Sequence, residues 1–295
     1  MSKQTIYINS IASTLPDTQD SPEFVPGKQV SIQEPDYKTL IPDATLRRRM
    51  SRIVRMGVAT GMQCLNKFPN APVDAILTAT GYGCLGDTEK FMNTLLDNHE
   101  QMLTPTAFIQ STFNTIGAQI ALLSKNHGYN NTYTHRAFSF ESALLDAILL
   151  LREEEASNVL VGAIDEMTPT VYEILKRLGL WRNALAGEGA NFAILSTTAI
   201  PESYAVLEGI ELFNGTYSAA EIQERIHNYL VQKGEKNATV LFPDAYKNTC
   251  GEYPTAIAYA FNTCCKQLQS GEIKMPILVY NTFLGNHSFI FLKPV

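Results

Sequence analysis

Between residues 50 and 66 the apolar positions Met50, Ile53, Val54, Gly57, Val58, Gly61, Met62 and Leu65 fall three and four apart, which predicts a helix with one buried face. Residues 73–80 read as a buried strand that closes on the turn Gly81-Tyr82-Gly83, and Asp87 is placed to cap a helix running through Leu96. Residues 105–123 read as an irregular approach followed by a helix carrying Ile116, Ile120 and Leu123. The most ordered stretch is a strand over 131–137, an amphipathic helix over 141–151 and a nearly continuous apolar strand over 158–164. That β-α-β unit, with so apolar a strand, predicts a sheet covered on both faces. Ahead of all this lie a strand at Ile6-Tyr7-Ile8 and an irregular excursion over 16–45, rich in Pro, Asp and Gln. Behind it come strands over 188–195 and 204–213, then a helix opened by the capping box Ser218-Ala219-Ala220-Glu221. A strand over 239–242, a helix over 253–268 and strands over 277–281 and 288–292 follow. No low-complexity linker interrupts the series, and the class is α/β.

The 295 residues suffice for one large domain or two small ones. A net charge of −6 argues against a nucleic-acid partner and against attraction to an anionic membrane surface. The basic cluster of Arg47, Arg48, Arg49, Arg52 and Arg55 is too local to change that. No run approaches the ~18 apolar residues of a membrane span, and Met1-Ser2-Lys3-Gln4-Thr5 lacks the form of a secretory signal, so a cytoplasmic protein is expected. Cys64, Cys84, Cys250, Cys264 and Cys265 are odd in number and form no CxxC pair, which speaks against a disulfide framework and a zinc site. His99, His127, His135, His227 and His287 show no HxxxH or HExxH spacing, and neither metal nor cofactor is expected.

Five segments carry more specific information. Gly187-Glu188-Gly189-Ala190 leads into a strand, and Asn158 to Glu166 is a strand ending in a Gly- and acid-containing turn. Pro105 to Leu123 is the third, Tyr246-Lys247-Asn248-Thr249-Cys250-Gly251-Glu252 the fourth, and Asn281-Thr282-Phe283-Leu284-Gly285-Asn286 the last. In this order they resemble the β-ketoacyl synthases. Arg47 to Arg52 and Phe138-Ser139-Phe140-Glu141-Ser142-Ala143 look like a divergent group of that family from bacterial flexirubin, aryl polyene and dialkylresorcinol clusters. The resemblance implies a thiolase-like fold of two related βαβαβ-type halves, layered α/β/α/β/α, with a shortened C-terminal half. It would divide the chain into an N-terminal half over 1–200 and a reduced half over 201–295 within one compact unit.

The resemblance also implies what is missing. A condensing enzyme needs a thiolate at a strand-to-helix junction, where the helix N-terminus lowers the thiol pKa and backbone N–H groups hold an oxyanion. Counting back from Asn158 puts that position at Phe138, with Ala137 and Ser139 as alternatives, and none of the three is Cys. The family's first histidine loop has no counterpart, and Glu252 stands where its second histidine would follow Gly251. A carboxylate there would repel an enolate, while Lys247 is placed to neutralise it as a structural pair. The vestigial positions are therefore Phe138, Ser139, Lys247, Glu252, Phe283 and His287.

The expected role is a non-catalytic, chain-length-factor-like subunit working with a complete ketosynthase and an acyl carrier protein, as a heterodimer or a homodimer. Phe108, Phe113, Ile116 and Ile120 are the expected interface. The alternative is an acyltransferase or hydrolase on acyl thioesters using Ser139 or Cys84 with His287 and Glu252. A homodimeric acyl-binding or scaffold protein is the third possibility.

Overall fold

Among the described residues, nine strands form one continuous hydrogen-bonded sheet in the order β3-β2-β4-β5-β1-β6-β9-β8-β7. The first five are β1 (Ile6–Ser13), β2 (Ala75–Ala79), β3 (Tyr129–Tyr133), β4 (Asn158–Asp165) and β5 (Gly189–Ser196). The others are β6 (Ala205–Asn214), β7 (Thr239–Leu241), β8 (Ile277–Phe283) and β9 (Asn286–Lys293). These come from a computed structural model describing residues 4–17, 25–68, 71–101, 103 and 105–295. Residues 18–24 of the expected irregular excursion and the first three of the N-terminus lie outside the described residues.

Strands β3, β2 and β4 run parallel, and β5 is antiparallel to both β4 and β1. In the second half β7 and β8 are parallel and β9 is antiparallel to β8 and β6, so the order β7-β8-β9-β6 repeats β2-β4-β5-β1. No counterpart of β3 is present among the described residues, which is the shortening of the second half. The halves join where β1 pairs with β6, Ile6 opposite Leu207 and Ile8 opposite Ala205.

Two helices, α7 (Ser139–Arg152) and α11 (Ala256–Gln269), share one buried cluster with inward residues of both halves. Phe140 of α7 meets Phe261 of α11 edge-on, with ring centroids 5.6 Å apart. Helices α3 (Arg52–Asn66) and α6 (Thr115–Ser124) cover the outer face of the first half, and α9 (Ala219–Gln232) covers the second. The layering is thus α/β/α/β/α, and strands covered on both faces need apolar runs such as the wholly buried Ala75–Ala79.

The packing of α6 corrects one expectation. Ile116 and Ile120 are 1% and 0% exposed and belong to the core, not to an interface. They fill the room left by Gly57 and Gly61 on α3, where an added Cβ would stand 2.8 Å from Ile116 and 2.6 Å from Ile120. Phe108 and Phe113 do face outward, joined by Ile109, Leu122 and Tyr129.

Local structure departs from the sequence pattern elsewhere too. Helix α1 (Tyr37–Leu40) lies inside the stretch expected to be irregular and α2 (Ala44–Arg49) begins at its end, each opened by an aspartate side chain, Asp36 and Asp43. In α4 (Leu85–Asp97) the cap position belongs to Cys84, and Asp87 sits buried in the first turn. The approach to α6 contains α5 (Pro105–Ser111). Two further short helices, α8 (Pro169–Arg177) and α10 (Pro243–Cys250), start on prolines, whose fixed φ suits a first helical position.

Candidate functional site

Strand β3 stops at Tyr133, four residues sooner than the sequence pattern suggests, because the chain turns sharply before α7. Arg136 adopts a left-handed φ of 57°, uncommon for a side chain of its kind, and Arg136–Phe138 makes one 3-10 turn into the helix. Ala137, Phe138 and Ser139 are all buried. The Phe138 ring stacks on His135, centroids 5.4 Å apart. Ser139 is 0% exposed, and its hydroxyl donates to the Thr80 carbonyl at 2.9 Å. The junction therefore offers an aromatic plug and a hydroxyl spent on the backbone.

The neighbouring turn is held by Asp165, at the end of β4. Its Oδ1 accepts from Thr80 Oγ1 and from the amides of Gly81 and Tyr82 at 2.8–2.9 Å. Its Oδ2 accepts from the Thr255 amide at 3.2 Å and hydroxyl at 2.8 Å. Five donors thus fasten the first half of the sheet to the start of α11. Glu141, in the first turn of α7, makes a second such link. Its Oε1 accepts from Asn281 at 3.0 Å and Ser288 at 2.8 Å, and Tyr246 donates to Asn281 at 2.9 Å. Its Oε2 has no partner among the described residues. Burial pushes both carboxyls above their ordinary values.

Two backbone segments cross beside this turn. Gly187 and Gly251 pass so closely that a Cβ on Gly187 would lie 2.2 Å from the Cys250 carbonyl oxygen. Gly251 also has a φ of 80°, so the resembled motifs need glycine here for room and for conformation. The crossing is paired through Gly187 N–H to the Glu252 carbonyl at 3.1 Å and Glu252 N–H to that of Leu185 at 2.8 Å. Lys247 and Glu252 form an ion pair, Nζ to Oε2 2.9 Å and to Oε1 3.0 Å, with 13% and 20% of their side chains exposed. Tyr82 lies within reach of the charges of Asp165, Glu252 and Arg136, between the junction and the crossing; burial raises its pKa most.

Glu188, the acid of the Gly-Glu-Gly-Ala segment, is clamped by Arg52 through two bonds of 2.6 and 2.8 Å. Arg52 also reaches Glu166 at 3.2 Å and Glu34 at 2.7 Å, so one guanidinium gathers three carboxylates. Among the described residues no group of three His, Cys, Asp or Glu side chains has metal-binding geometry. No helix among them is long and apolar enough to cross a membrane.

The residues of the alternative hydrolytic set are not brought together. Cys84 is buried in the outer core cluster, where burial pushes its thiol up to about 12. The other four cysteines are buried too, Cys64 and Cys264 pushed to about 12 and Cys250 and Cys265 also raised by burial. His287 lies on the opposite face of β9 from Ser288, which bonds Glu141. It stacks on Phe213 at 5.1 Å and bonds Tyr280 OH at 2.8 Å and the Gly215 carbonyl at 3.0 Å. This corrects its expected place beside the site and makes it a brace of the β8-β9 hairpin. Phe283 ends β8 at that hairpin's turn, and Lys247 bonds the carbonyl of the adjacent Thr282 at 3.4 Å.

Sequence reasoning missed Glu141, Tyr82 and Arg52 as members of this arrangement. Tyr82 carries no signal beyond its place in a glycine turn, and the one signal for Glu141 is a carboxylate at a helix start.

A five-layered fold with its strand-to-helix junction against a glycine crossing defines a thiolase-like protein. The chain belongs to the β-ketoacyl synthase family, residues 23–188 matching its N-terminal domain. A comparison with curated proteins finds no match. Among solved structures, a type II polyketide synthase acyl-carrier protein in complex with its ketosynthase is similar at TM-score 0.81 and 12% identity, over 99% of this chain and 100% of that one. The ishigamide ketosynthase/chain length factor is similar at TM-score 0.75 and 12% identity, over 99% of each chain. A ketosynthase in complex with its chain length factor from Xenorhabdus doucetiae is similar at 0.53 and 16%, over 77% of this chain and 91% of that one.

The half-buried Lys247–Glu252 pair has a measurable consequence. Glu252→Gln is expected to lower stability by about 1–2 kcal/mol, between the ranges for exposed and buried pairs, as read from urea unfolding. Glu252→His is expected to yield no condensation product, since the junction still lacks a thiol. A carbon–carbon bond formed by that single variant would contradict this account of the site.

Proposed function

We propose that this chain is a non-catalytic, chain-length-factor-like β-ketoacyl synthase subunit. It works with a complete ketosynthase and an acyl carrier protein in the cytoplasm, in bacterial pigment biosynthesis of the aryl polyene or flexirubin type. The observation that carries the reading is the junction at 137–139, where the family's thiol position is filled by buried Ala137, Phe138 and Ser139. The locked Lys247–Glu252 pair and the burial of all five cysteines support it. The structural neighbours include ketosynthases with chain length factors, which fits a paired subunit.

The surface offered for pairing is the open edge of β3. It is the last strand of the sheet on its side, and Phe113 and Leu122 line the grooves beside it. Joining β3 to a partner's edge strand would satisfy its outward backbone groups and cover those side chains.

Co-expression with a complete ketosynthase, followed by size-exclusion with light scattering and product analysis, tests the reading. A stable complex is expected, with no acyl adduct on residues 137–139 by intact mass after incubation with acyl-carrier protein. Phe138→Ala is expected to preserve the complex and shift its product toward longer chains, because the aromatic plug is removed. A stoichiometric acyl group on Ser139, or a monodisperse monomer indifferent to the synthase, would overturn the proposal.

A further inference from the structure

A cavity of about 630 Å³ opens at the end of the sheet opposite the junction, between the start of β4, the end of α3 and the loop after β5. Asn158, which lines the cavity, and Asp165 beneath the junction are the first and last residues of β4. Seven steps of extended chain span about 23 Å, so the two places are distinct. The volume falls in the range of about 300–1,000 Å³ that takes small organic ligands.

Its walls have two characters. Phe68, Ala71, Ile200 and Pro201 supply apolar surface. The floor is Asn9, at the irregularity where β1 shifts register against β5. Asn9 is 3% exposed, and its amide is spent on the Thr198 carbonyl at 2.9 Å and the Ser203 hydroxyl at 2.7 Å, so the floor is rigid. Lys67 also lines the cavity and donates to the Ile11 carbonyl at 3.0 Å, with no carboxylate partner among the described residues. Lys266 stands near enough that the charge of Lys67, after burial, lowers its pKa, and it too has no carboxylate partner there. Against these two cations the cavity presents one carboxylate, Glu202. Asp74, which lines a different cavity, is engaged by the amides of Ser157 and Asn158 at 2.8 and 3.0 Å.

We infer that this cavity binds a small amphipathic carboxylate, its apolar body against Phe68 and Ile200 and its anionic head on Lys67. Tyr204, also in the lining, offers a phenol hydroxyl as a further donor to the head. The remaining N–H groups of Lys67 supply a charge-assisted bond that a neutral or cationic analogue cannot receive. This inference is independent of the proposed role as a synthase partner, because it concerns the other end of the sheet.

The test uses the full chain and three probes of equal chain length: octanoate, octylamine and 1-octanol, compared by calorimetry and thermal shift. Octanoate is expected to bind and raise Tm, with affinity at least tenfold above that of either analogue. Lys67→Gln should weaken octanoate about tenfold, and Ala71→Trp, which fills the cavity, should abolish binding while the chain still melts cooperatively. Absence of octanoate binding at millimolar concentration, equal binding of octanoate and octylamine, or affinity unchanged in Lys67→Gln would each overturn the assignment. Binding that survives in a folded Ala71→Trp variant would place octanoate elsewhere and overturn it too.

Discussion

Ile116→Glu is expected to prevent folding, whereas Leu122→Glu, six residues further along the same helix, is expected to leave the fold intact and, combined with Phe113→Glu, to abolish pairing. Ile116 is 1% exposed and wedged against Gly57 of α3, so a carboxylate there would enter the apolar cluster between α3 and the sheet. Burying an unpaired charge costs several kcal/mol or forces the group neutral, and a cavity-lining clash adds to it, so a loss above about 4 kcal/mol is expected. Leu122 is 71% exposed, so its replacement keeps the effect on the isolated chain within about 0.5 kcal/mol. If the β3 edge is the pairing surface, a new charge at Leu122 together with Phe113→Glu must desolvate on association and will prevent it. Circular dichroism melts separate the two cases, and light scattering with the ketosynthase reads the second. A well-folded Ile116→Glu chain would refute the placement of α6. Retention of the complex by the Phe113→Glu, Leu122→Glu pair would refute the edge as the interface.

Glu141→Gln is expected to stabilise the chain at neutral pH, and Asp165→Asn to destabilise it, although both carboxyls are wholly buried and both are pushed up by burial. A raised folded-state pKa means that the folded chain holds a proton which the unfolded chain has released. The contribution is full below the ordinary carboxylate value and is lost as pH rises through the folded value. Glu141→Gln has no proton to lose, so its advantage grows as pH rises from about 4.3 toward neutrality, at about 1.4 kcal/mol per unit until the folded value is reached. A gain in stability at pH 7 follows, because Oε2 has no partner to forfeit and Oε1 keeps its two. Asp165 differs because both its oxygens accept hydrogen bonds, from five donors in all. An amide would turn an NH2 group toward N–H or O–H groups and orphan at least one, at about 3 kcal/mol or more with the lost packing of the turn. Urea denaturation between pH 4 and pH 8 reads both variants. A Glu141→Gln chain with the parent's pH profile, or an Asp165→Asn chain of parental stability, would contradict the network described.

The first-half β-α-β unit, the capping box at Ser218 and the strand lead-in at Gly187 to Ala190 were legible in the sequence because each rests on neighbours close along the chain. The five spaced segments likewise sufficed for the family. Periodicity on α6 also showed correctly that Ile116 and Ile120 share an apolar face, but a face does not say what covers it. Only the packing of Gly57 and Gly61 decided that the cover is α3 rather than a second subunit. His287 was misplaced for a related reason: its distance in sequence from the terminal turn was short, but alternation along β9 sends it and Ser288 to opposite faces of the sheet. The links from Glu141 to Ser288 and from Asp165 to Thr255 span 147 and 90 residues, and nothing local marks either partner. A buried carboxylate is defined by the donors that converge on it, and convergence of distant segments exists only once the two halves of the sheet have closed around α7 and α11.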